Sequence, residues 1–510
     1  MISICVTYYY VAVTKMDYLD PKKKKAKRIR LMIMYALLGI AISIATVVFV
    51  FLANGYYIDR KTGDVIQNGL IYIDSKPESA TIHLNGVQQR GNTDARLVVP
   101  EGTYDIELRR DGYFAWKRNL TLEGGSLRRL TYARLIPETL DSEQALTFPS
   151  MPAAVSQSND KRWMVAAFDD KPLVMQAIDL NSATPQLIEV PLPLDIITQK
   201  PGGTWKFVEW ADDHRTFLAS YSTSSGAEYV LIDRTNPAAA VNVTKTFAAQ
   251  KITAVSMRNR KNDQQFLYAA NGGVLYKANA KTGEITEYLR GVTDYTAYGD
   301  AAVLYVTEKD AKAGTVKAIL RKGDKDYTLR EIKKDSKYLL EMAKLGNSLV
   351  MGIGSAAEGR VLVYDDPIRA LSHNDFSAIP VPTTVLKVDS PQELTISADS
   401  SVILARSGKN YASHEFEEDR TYVFTLDPAV SAMQEIRWMD GRHFMIGSDD
   451  SKQYISDYDG SNLHQLSSSQ PGLGSIFDAP IDRQFTFQSA SADAPQPKMM
   501  RTFMHAKKDR

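Results

Sequence analysis

Between residues 70 and 135, hydrophobic and polar side chains alternate along short segments that are separated by turn residues. In Thr81–Asn85 and again in Tyr104–Arg109, every second residue is apolar and the intervening ones are polar. Turns of the type Asn-Gly, Pro-Glu-Gly and Asp-Gly follow or precede these segments at Gly86, Gly102 and Gly112. A period of two residues is typical of strands with one buried face. About six such strands in some seventy residues predict a small antiparallel β-sandwich.

A different pattern precedes this region, because Leu31–Ala53 contains 23 consecutive residues without a charge. At about 1.5 Å per residue, a helix of this length crosses a hydrocarbon core of about 30 Å. The stretch is longer than the apolar core of a cleavable signal peptide, and Phe51 occupies a position where cleavage would require a small residue. We therefore expect a single uncleaved transmembrane helix over residues 31–53.

The segment directly before this helix is strongly basic. Cytoplasmic flanks of membrane helices carry such an excess of positive charge, which predicts a cytoplasmic N-terminus (residues 1–30) and an extracytoplasmic location for everything after Asn54. The same side chains are expected to contact anionic lipid. Residues 1–15 fit neither role, and a start at Met16 would leave them untranslated. The cations concerned are Lys22, Lys23, Lys24, Lys25, Lys27, Arg28 and Arg30.

The strand-and-turn region resembles the PEGA domain, a small β-sandwich of bacterial and archaeal surface proteins. The resemblance covers about residues 68–136, and its naming tetrapeptide falls on Pro77-Glu78-Ser79-Ala80, with Ser79 where the family usually has glycine. It implies a non-catalytic module on a bacterial membrane protein, which would space the rest of the chain from the bilayer. The other motif positions matched are Gly86, Gly91, Thr93, Gly102, Gly112 and Tyr113.

Residues 137–153 are polar, rich in proline and without period, which is typical of a linker. Beyond them, over residues 145–505, similar units of a strand, a polar turn and a second strand recur every 35 to 55 residues. Such repeats predict a β-propeller of about seven blades, with six or eight as alternatives. The units resemble bacterial propellers of the Tol-associated and WD40-like kind, although they lack the Gly-His and Trp-Asp signature. Two stacked β-sandwich domains are the alternative fold.

Two sets of aspartates recur in the repeats. Asp160, Asp212, Asp399 and Asp440 are expected in equivalent turns, where a carboxylate accepts backbone hydrogen bonds. Asp179, Asp233, Asp427 and Asp459 are expected where the second strand ends. One segment of the repeat region departs from the strand pattern. Arg330–Met342 is rich in helix-forming residues and predicts a helix inserted into a blade.

Composition excludes several classes of chemistry. Cys5 is the only cysteine, so the chain has no intramolecular disulfide and no thiolate zinc site. Residues 1–30 hold eight Lys and Arg against two Asp, which leaves 53 basic and 58 acidic residues beyond them, a net charge of −5. That balance predicts no nucleic-acid partner. No nucleophile or phosphate-binding motif is present, and we predict no catalytic residue, no cofactor and no metal site, with calcium at Asp457–Asn462 as a minor alternative.

These features predict a membrane-anchored extracytoplasmic binding or scaffold protein rather than an enzyme. Its propeller would engage a protein or a cell-envelope glycan, with Trp205 as the tryptophan most suited to an exposed contact. The alternative is a propeller-type envelope enzyme, a glycan lyase or hydrolase whose acidic residues converge only in the fold. The two classes differ at the central channel, since an enzyme would gather several carboxylates or histidines in one deep pocket.

The basic cluster before the apolar helix generates a test of orientation. Protease added to intact cells should digest residues beyond Asn54 and leave the N-terminal segment intact, because positive flanks remain in the cytoplasm. Immunoblotting with tags at the two ends measures this, and lysed cells provide the control in which both ends are cut. Protection of the C-terminal tag in intact cells would contradict the orientation.

Overall fold

The fold was analysed in a computed structural model, which describes residues 21–509 except 54, 59–62, 64, 199–201, 271, 300–301, 370–378, 427–434, 449, 479 and 493. The described chain begins with helix α1 (Pro21–Ala53), whose segment Lys25–Ala53 is long and apolar enough to cross a membrane. None of that segment is buried against other parts of the protein. By residue contacts, the chain then divides into two units. One ends at Ile106 and also takes Asn119–Ala133; the other takes Glu107–Arg118 and everything from Arg134 onward.

Eight strands between residues 56 and 134 form two four-stranded sheets. One has the order β1-β2-β5, with β8 also paired to β2, and the other has the order β4-β3-β6-β7. Buried side chains alternate with exposed ones along β7, as the sequence pattern predicts. The strands are β1 (Tyr56–Ile58), β2 (Val65–Lys76), β3 (Thr81–Leu84), β4 (Val87–Asn92), β5 (Ala95–Pro100), β6 (Gly102–Arg109), β7 (Trp116–Leu122) and β8 (Leu127–Arg134).

The Pro77–Ala80 turn depends on Thr93. The backbone N–H of Ser79 donates to the Thr93 carbonyl at 2.8 Å, and the N–H of Ala80 donates to Thr93 Oγ1 at 2.9 Å. Ser79 itself has a φ of +64°, the left-handed region that glycine adopts without steric cost. Serine therefore does not change the turn; it adopts the glycine conformation, and the hydrogen bonds to Thr93 hold it there.

In the larger unit, one strand precedes seven sheets that are each continuous in sequence. Strand β9 (Asp141–Thr147) lies inside the segment interpreted as a linker. Each of the next seven sheets is antiparallel and takes its four strands in chain order. Sheet 1 has β10 (Ala154–Gln157), β11 (Trp163–Ala167), β12 (Val174–Asp179) and β13 (Ile188–Pro191), and sheet 2 has β14 (Thr204–Trp210), β15 (Thr216–Thr223), β16 (Gly226–Asp233) and β17 (Val241–Asn242). Sheet 3 has β18 (Ile252–Met257), β19 (Gln265–Ala270), β20 (Val274–Asn279) and β21 (Glu284–Arg290). Sheet 4 has β22 (Val292–Tyr298), β23 (Ala302–Thr307), β24 (Thr315–Lys322) and β25 (Lys325–Lys333).

The remaining sheets complete the set. Sheet 5 has β26 (Leu339–Leu345), β27 (Ser348–Ser355), β28 (Arg360–Asp365) and β29 (Thr384–Leu386); sheet 6 has β30 (Glu393–Ile396), β31 (Val402–Ser407), β32 (Asn410–Glu415) and β33 (Arg420–Thr425); sheet 7 has β34 (Arg437–Trp438), β35 (His443–Gly447), β36 (Gln453–Asp457) and β37 (His464–Gln465). Helix α2 (Val243–Thr246) follows β17, and 3-10 turns lie at Pro237–Ala239, Ala248–Gln250, Arg258–Arg260 and Lys507–Asp509.

The eighth sheet is closed by the two ends of the unit. It has β38 (Ile476–Asp478), β39 (Arg483–Gln488) and β40 (Lys498–Phe503), and β9 pairs with β40 as its fourth strand. The register runs from Thr147 opposite Lys498 to Asp141 opposite Phe503, with a bulge at Met499/Met500. Sheets 8 and 1 then share one hydrophobic cluster that includes Leu146, Met164 and Phe485.

The architecture is mainly β, with one apolar helix, a small sandwich and a β-propeller. Consecutive sheets pack on each other through shared clusters of buried side chains, for example between sheets 1 and 2 and between sheets 4 and 5. The described residues between 141 and 503 form eight sheets, whereas the repeats predicted about seven blades with six or eight as alternatives. The eighth was not apparent because one of its strands lies far from the others in sequence.

The helix expected over Arg330–Met342 is wrong. Residues up to Lys333 continue β25, which pairs with β24, and Leu339 begins β26, which pairs with β27. Pairing with neighbouring strands overrides the helix propensity of the segment, because propensity is a weak local preference.

The recurring turn aspartates cap the start of the second strand in sheets 1, 2, 6 and 7. Asp160 and Asp399 accept a hydrogen bond from the backbone N–H two residues later, and Asp440 does the same with Arg442. In sheet 2 the acceptor is Asp213, not Asp212 as expected. Its carboxylate accepts from the N–H groups of Arg215 and Thr216 at 2.9 and 2.8 Å.

The pair Asp212 and Asp213 therefore offers a matched test. Replacing Asp213 with alanine should lower the free energy of unfolding by about 0.5–2 kcal/mol, the usual effect of losing a cap of this type. Asp212→Ala should change it by less than about 0.5 kcal/mol, because the Asp212 side chain is exposed. Urea unfolding of the two variants measures both values, and equal losses would contradict the assignment of the cap.

Candidate functional site

The first strands of consecutive sheets lie next to each other in the larger unit. Strand β10 contacts β14, β14 contacts β18, β22 contacts β26 and β26 contacts β30, so these strands are neighbours across consecutive sheets. A cavity of about 540 Å³ opens among the first strands of sheets 7, 8, 1 and 2. Its volume lies within the range of small-molecule pockets, about 300–1,000 Å³. This cavity is the candidate functional site.

Two half-buried cations from different sheets line the cavity, together with the exposed Lys206. Lys161 lies in the turn between β10 and β11, and Arg437 lies on β34. The Lys161 ammonium donates to the Trp438 carbonyl at 3.4 Å, and Arg437 Nη1 donates to the Ser475 carbonyl at 3.3 Å. Among the described residues, neither cation has a carboxylate within 4.0 Å. Both are therefore held mainly by neutral backbone groups.

The surroundings oppose the charge on both groups. Burial lowers the pKa of Lys161, and the nearby charge of Arg437 lowers it further, whereas Asp440 acts in the opposite direction. Burial also lowers the pKa of Arg437, although Glu435 partly offsets this effect. A desolvated cation without a close counter-charge is energetically costly in a folded protein. The cavity thus contains two charges that would gain from a nearby anion.

The rest of the cavity wall is mixed. Gln157 fixes the turn of Lys161, since its side-chain amide donates to the Lys161 carbonyl at 2.6 Å and to the Phe477 carbonyl at 2.8 Å. Trp438 packs against Phe444 and donates from Nε1 to Thr395 Oγ1 at 3.1 Å. The other lining residues include Ala153, Ser156, Trp205, Lys206, Phe207 and Glu435.

The interpretation of Trp205 as an exposed contact is wrong. Its side chain is 4% exposed, belongs to strand β14 rather than a loop, and lies 5.0 Å from the Tyr221 ring. Trp205 Nε1 donates to the Pro172 carbonyl at 2.9 Å. The preceding Pro-Gly-Gly sequence is typical of a loop, but the strand begins only one residue later.

Two acidic side chains on first strands lie outside the lining of this cavity. Burial raises the pKa of Glu209 on β14 and of Glu341 on β26 to about 7 in each case. Glu209 accepts a hydrogen bond from the Met257 N–H, and Arg260 lowers the pKa of both carboxyls. Within the described residues, no group of three or more His, Cys, Asp or Glu side chains is arranged so that it could hold a metal ion.

A second polar cluster lies in sheet 7. His443 is 3% exposed, and its Nδ1 lies 2.9 Å from the Asp440 carboxylate while its Nε2 lies 3.3 Å from Asp457. Burial would lower the pKa of His443, but the two carboxylates outweigh it and raise the pKa to about 9. Conversely, His443 and Arg134 lower the pKa of Asp440 against the effect of burial. The histidine is thus held in its charged form.

The same cluster binds the segment 107–118 of the larger unit. Trp116 Nε1 donates to Asp457 at 2.8 Å, and the buried Arg118 guanidinium pairs with Asp459. Arg118 also donates to the hydroxyls of Tyr422 and Tyr458 at 3.0 and 3.1 Å. The oxygens of Asp457–Asn462, considered for calcium, are therefore occupied by protein donors. This cluster has a structural role.

Gly112 and Tyr113 also serve structure. Gly112 has a φ of +79°, which a side chain with a branched β-carbon resists. Tyr113 is 4% exposed; its hydroxyl donates to Asp509 at 2.6 Å and accepts from the Ala506 N–H at 2.8 Å. Burial and this carboxylate raise the pKa of Tyr113 to about 12.

The other sequence-predicted residues do not converge on the cavity. Lys25, Lys27, Arg28 and Arg30 are exposed on α1, and Lys22, Lys23 and Lys24 lie in the same helix, but their side chains are not described. Of the PEGA positions, Pro77 and Ala80 are buried, whereas Glu78, Gly86 and Gly102 are exposed. Asp427 lies outside the described residues. Lys161 and Arg437 were not predicted, since single cations in a repeat carry no recognisable signal.

Comparison with known proteins identifies the small sandwich and finds similar structures for the propeller. Residues 68–133 match the family model of the PEGA domain, so the chain contains a PEGA domain. No curated protein matches the sequence significantly. Among solved structures, the C-terminal WD40 domain of Sif2 has 11% identity and a TM-score of 0.46, and the match covers 71% of this chain and 98% of that domain.

Two further solved structures are similar to this chain. The β-propeller domain of Cps50 (Swd1) from Myceliophteria thermophila has 10% identity and a TM-score of 0.38, covering 71% of this chain and 99% of that one. The dihydro-heme d1 dehydrogenase NirN, in complex with DHE, has 14% identity and a TM-score of 0.41, covering 62% of this chain and 66% of that one. These likenesses concern the fold alone, and no property of those proteins transfers at such scores.

The buried histidine generates a prediction about pH. Because the pKa of His443 is higher in the folded state than its ordinary value of 6.5, its stabilisation is complete below about pH 6.5 and is lost as pH rises through about 9. We expect the free energy of unfolding to fall over pH 7–10 by up to about 1.4 kcal/mol per pH unit. Urea unfolding across this range measures the slope.

His443→Gln should flatten that slope, and the same substitution at His83 on β3 should leave it unchanged. An unaltered slope in His443→Gln would show that another group carries the pH dependence.

Proposed function

We propose that this protein is a membrane-anchored extracytoplasmic binding protein that presents a β-propeller on a PEGA spacer. The observation that carries the proposal is the cavity among the first strands of sheets 7, 8, 1 and 2, which combines three cations, polar groups and aromatic edges. Such a mixture is typical of ligand pockets, in which apolar walls provide contact area and a few polar groups fix orientation.

Helix α1 supports the membrane anchor. Its apolar segment reaches Ala53, and exposed cations at Lys25, Lys27, Arg28 and Arg30 precede the apolar run. Positive flanks favour the cytoplasm and contact anionic lipid headgroups. On this arrangement the propeller lies on the extracytoplasmic side of the membrane.

The chemistry of the cavity wall favours binding over turnover. Glu435 is the one carboxylate among its described lining residues, and no histidine or cysteine lines it. General acid–base catalysis of glycan cleavage requires two groups on either side of the scissile bond. The alternative of an envelope lyase or hydrolase lacks such a pair here. The two acids of raised pKa, Glu209 and Glu341, lie outside this cavity.

The partner would be a protein or an envelope glycan that places one of its groups in the cavity. Propellers are suited to this role because a rigid ring holds the surrounding loops in fixed positions. The protein would then act as a scaffold that keeps its partner close to the membrane. No nucleic-acid partner is proposed, because the chain beyond residue 30 carries a net charge of −5.

Blocking the cavity tests this proposal. Ala153 lines the cavity and its side chain is exposed, so Ala153→Trp should fill space without disturbing the core. Ala313, exposed in a turn of sheet 4 outside the cavity, provides the matched control Ala313→Trp. Chemical crosslinking in intact cells, followed by mass spectrometry, should yield partners of the wild type and of the control that are lost in Ala153→Trp.

The same proteins should also be screened for turnover of cell-wall glycans and peptides. An identical set of crosslinked partners in all three proteins would contradict binding through the cavity. Turnover that disappears on replacing Glu435, Glu209 or Glu341 with the corresponding amide, at unchanged melting temperature, would establish the enzyme instead.

A further inference from the structure

We infer that Lys161 and Arg437 form a site for an oxyanion, the phosphate or carboxylate group of a ligand that enters the cavity. The inference rests on the proposed function, because it assigns the ligand chemistry of the same cavity. It is carried by the position of two cations that line one cavity of about 540 Å³ without a carboxylate within 4.0 Å among the described residues.

The two cations are brought together by the fold and not by local sequence. Lys161 belongs to sheet 1 and Arg437 to sheet 7. Sheet 8, which takes strands from both ends of the repeat region, connects these two sheets. The Gln157 amide holds the Lys161 backbone through its carbonyl, and Arg437 lies on strand β34, which pairs with β35. Side chains that project from a held turn and from a paired strand start from defined positions, which favours a specific site.

The charges of Lys161 and Arg437 repel each other. The charge of Arg437 lowers the pKa of Lys161, so the two groups lie close enough to destabilise each other. Their existing partners are the carbonyls of Trp438 and Ser475 at 3.4 and 3.3 Å, which are long hydrogen bonds. An oxyanion would replace these with shorter, charge-assisted bonds, of which the guanidinium can provide two in parallel.

Nearby acidic groups do not neutralise the pair. Glu435 is exposed and only partly offsets the effect of burial on Arg437. Asp440 acts on Lys161, but its carboxylate is already bonded to His443 and to the Arg442 N–H. Lys206, which also lines the cavity, adds a third positive charge. The balance of charge in the cavity therefore favours an anion.

The other residues of the cavity wall indicate the chemistry of the rest of the ligand. Trp438 and Phe207 offer apolar edges, and Ser156 and Gln157 offer polar groups. The volume exceeds that of an isolated phosphate ion, so the oxyanion would be one group of a larger molecule. An acidic sugar, a phosphorylated glycan and an acidic peptide terminus share this chemistry.

Binding of simple probes to the full-length protein in detergent micelles tests the site. Inorganic phosphate and glucuronate supply the two oxyanions, and glucose supplies a neutral sugar of similar size. Calorimetry measures affinity, and fluorescence reports on Trp438 and Trp205 at the cavity. We expect saturable binding of phosphate, of glucuronate or of both, and none of glucose. Phosphate alone would identify a phosphoryl ligand, and glucuronate alone a carboxylate.

Removing either charge should weaken that binding. Lys161→Gln and Arg437→Gln should each reduce affinity by about tenfold or more, since hydrogen bonds to charged groups are roughly twice as strong as neutral ones. Arg437→Lys should retain part of the affinity because it keeps the charge. Lys322→Gln, which removes an exposed cation outside the cavity, should leave affinity unchanged.

Melting temperature separates this role from a structural one. If the cations repel each other, Lys161→Gln and Arg437→Gln should not lower the melting temperature of the unliganded protein. Absence of saturable binding by both anions, equal binding of glucose, or affinities unchanged in both variants would overturn the oxyanion site.

The two proposals fail in different ways. If neither anion binds but Ala153→Trp still removes the crosslinked partners, the oxyanion site is wrong and the binding function stands. If the anions bind as expected but the crosslinked partners persist in Ala153→Trp, the oxyanion site stands and the partner does not use the cavity.

Discussion

The pairing of β9 with β40 is the constraint on which the larger unit depends. These strands lie at opposite ends of the repeat region, and together with β38 and β39 they form the eighth sheet. Leu146 of β9 joins the cluster shared by sheets 8 and 1, and Arg501 of β40 pairs with Glu143. Without this pairing, sheet 8 would present an unpaired edge and sheet 1 would lose part of its packing. Closure by both chain ends makes stability a property of the whole ring.

The candidate site is a consequence of that closure. Its lining comes from sheets 7 and 8 at one end of the repeats and from sheets 1 and 2 at the other. Lys161 and Arg437 are therefore neighbours only when the ring is closed, and the cost of placing their charges together is met by the packing of the sheets. The turn aspartates contribute in a different way, because in sheets 2, 6 and 7 they fix the entry to the second strand.

Sequence alone predicted the features that repeat and missed those that depend on long-range pairing. Alternation and turn residues were sufficient for the small sandwich, and the uncharged run was sufficient for α1. The turn aspartates were predicted in type, although Asp212 was chosen where Asp213 accepts the bonds, because adjacent acids cannot be distinguished by pattern. β9 was read as linker since its polar sequence, "DSEQALT", gains strand character only by pairing with β40.

The candidate site was beyond sequence reasoning for the same reason. Nothing in the local sequence distinguishes Lys161 and Arg437 from the other lysines and arginines of the chain. Only the order of the sheets brings them to one cavity. Trp205 was chosen instead because tryptophan in a glycine-rich segment suggests exposure, whereas packing against Tyr221 buries it. Local patterns indicate which residues form strands, but they do not indicate which strands meet.

Hydrogen exchange of the backbone amides in β9 tests ring closure most directly. In the closed ring, the amides of Asp141–Thr147 that pair with β40 should exchange as slowly as those of β39, because both strands open only when the eighth sheet opens. Mass spectrometry of peptides covering residues 141–147 and 483–488 compares the two strands in the same protein. Rapid exchange of residues 141–147 at the rate of an unstructured linker, with β39 still protected, would contradict closure and with it the site that closure creates.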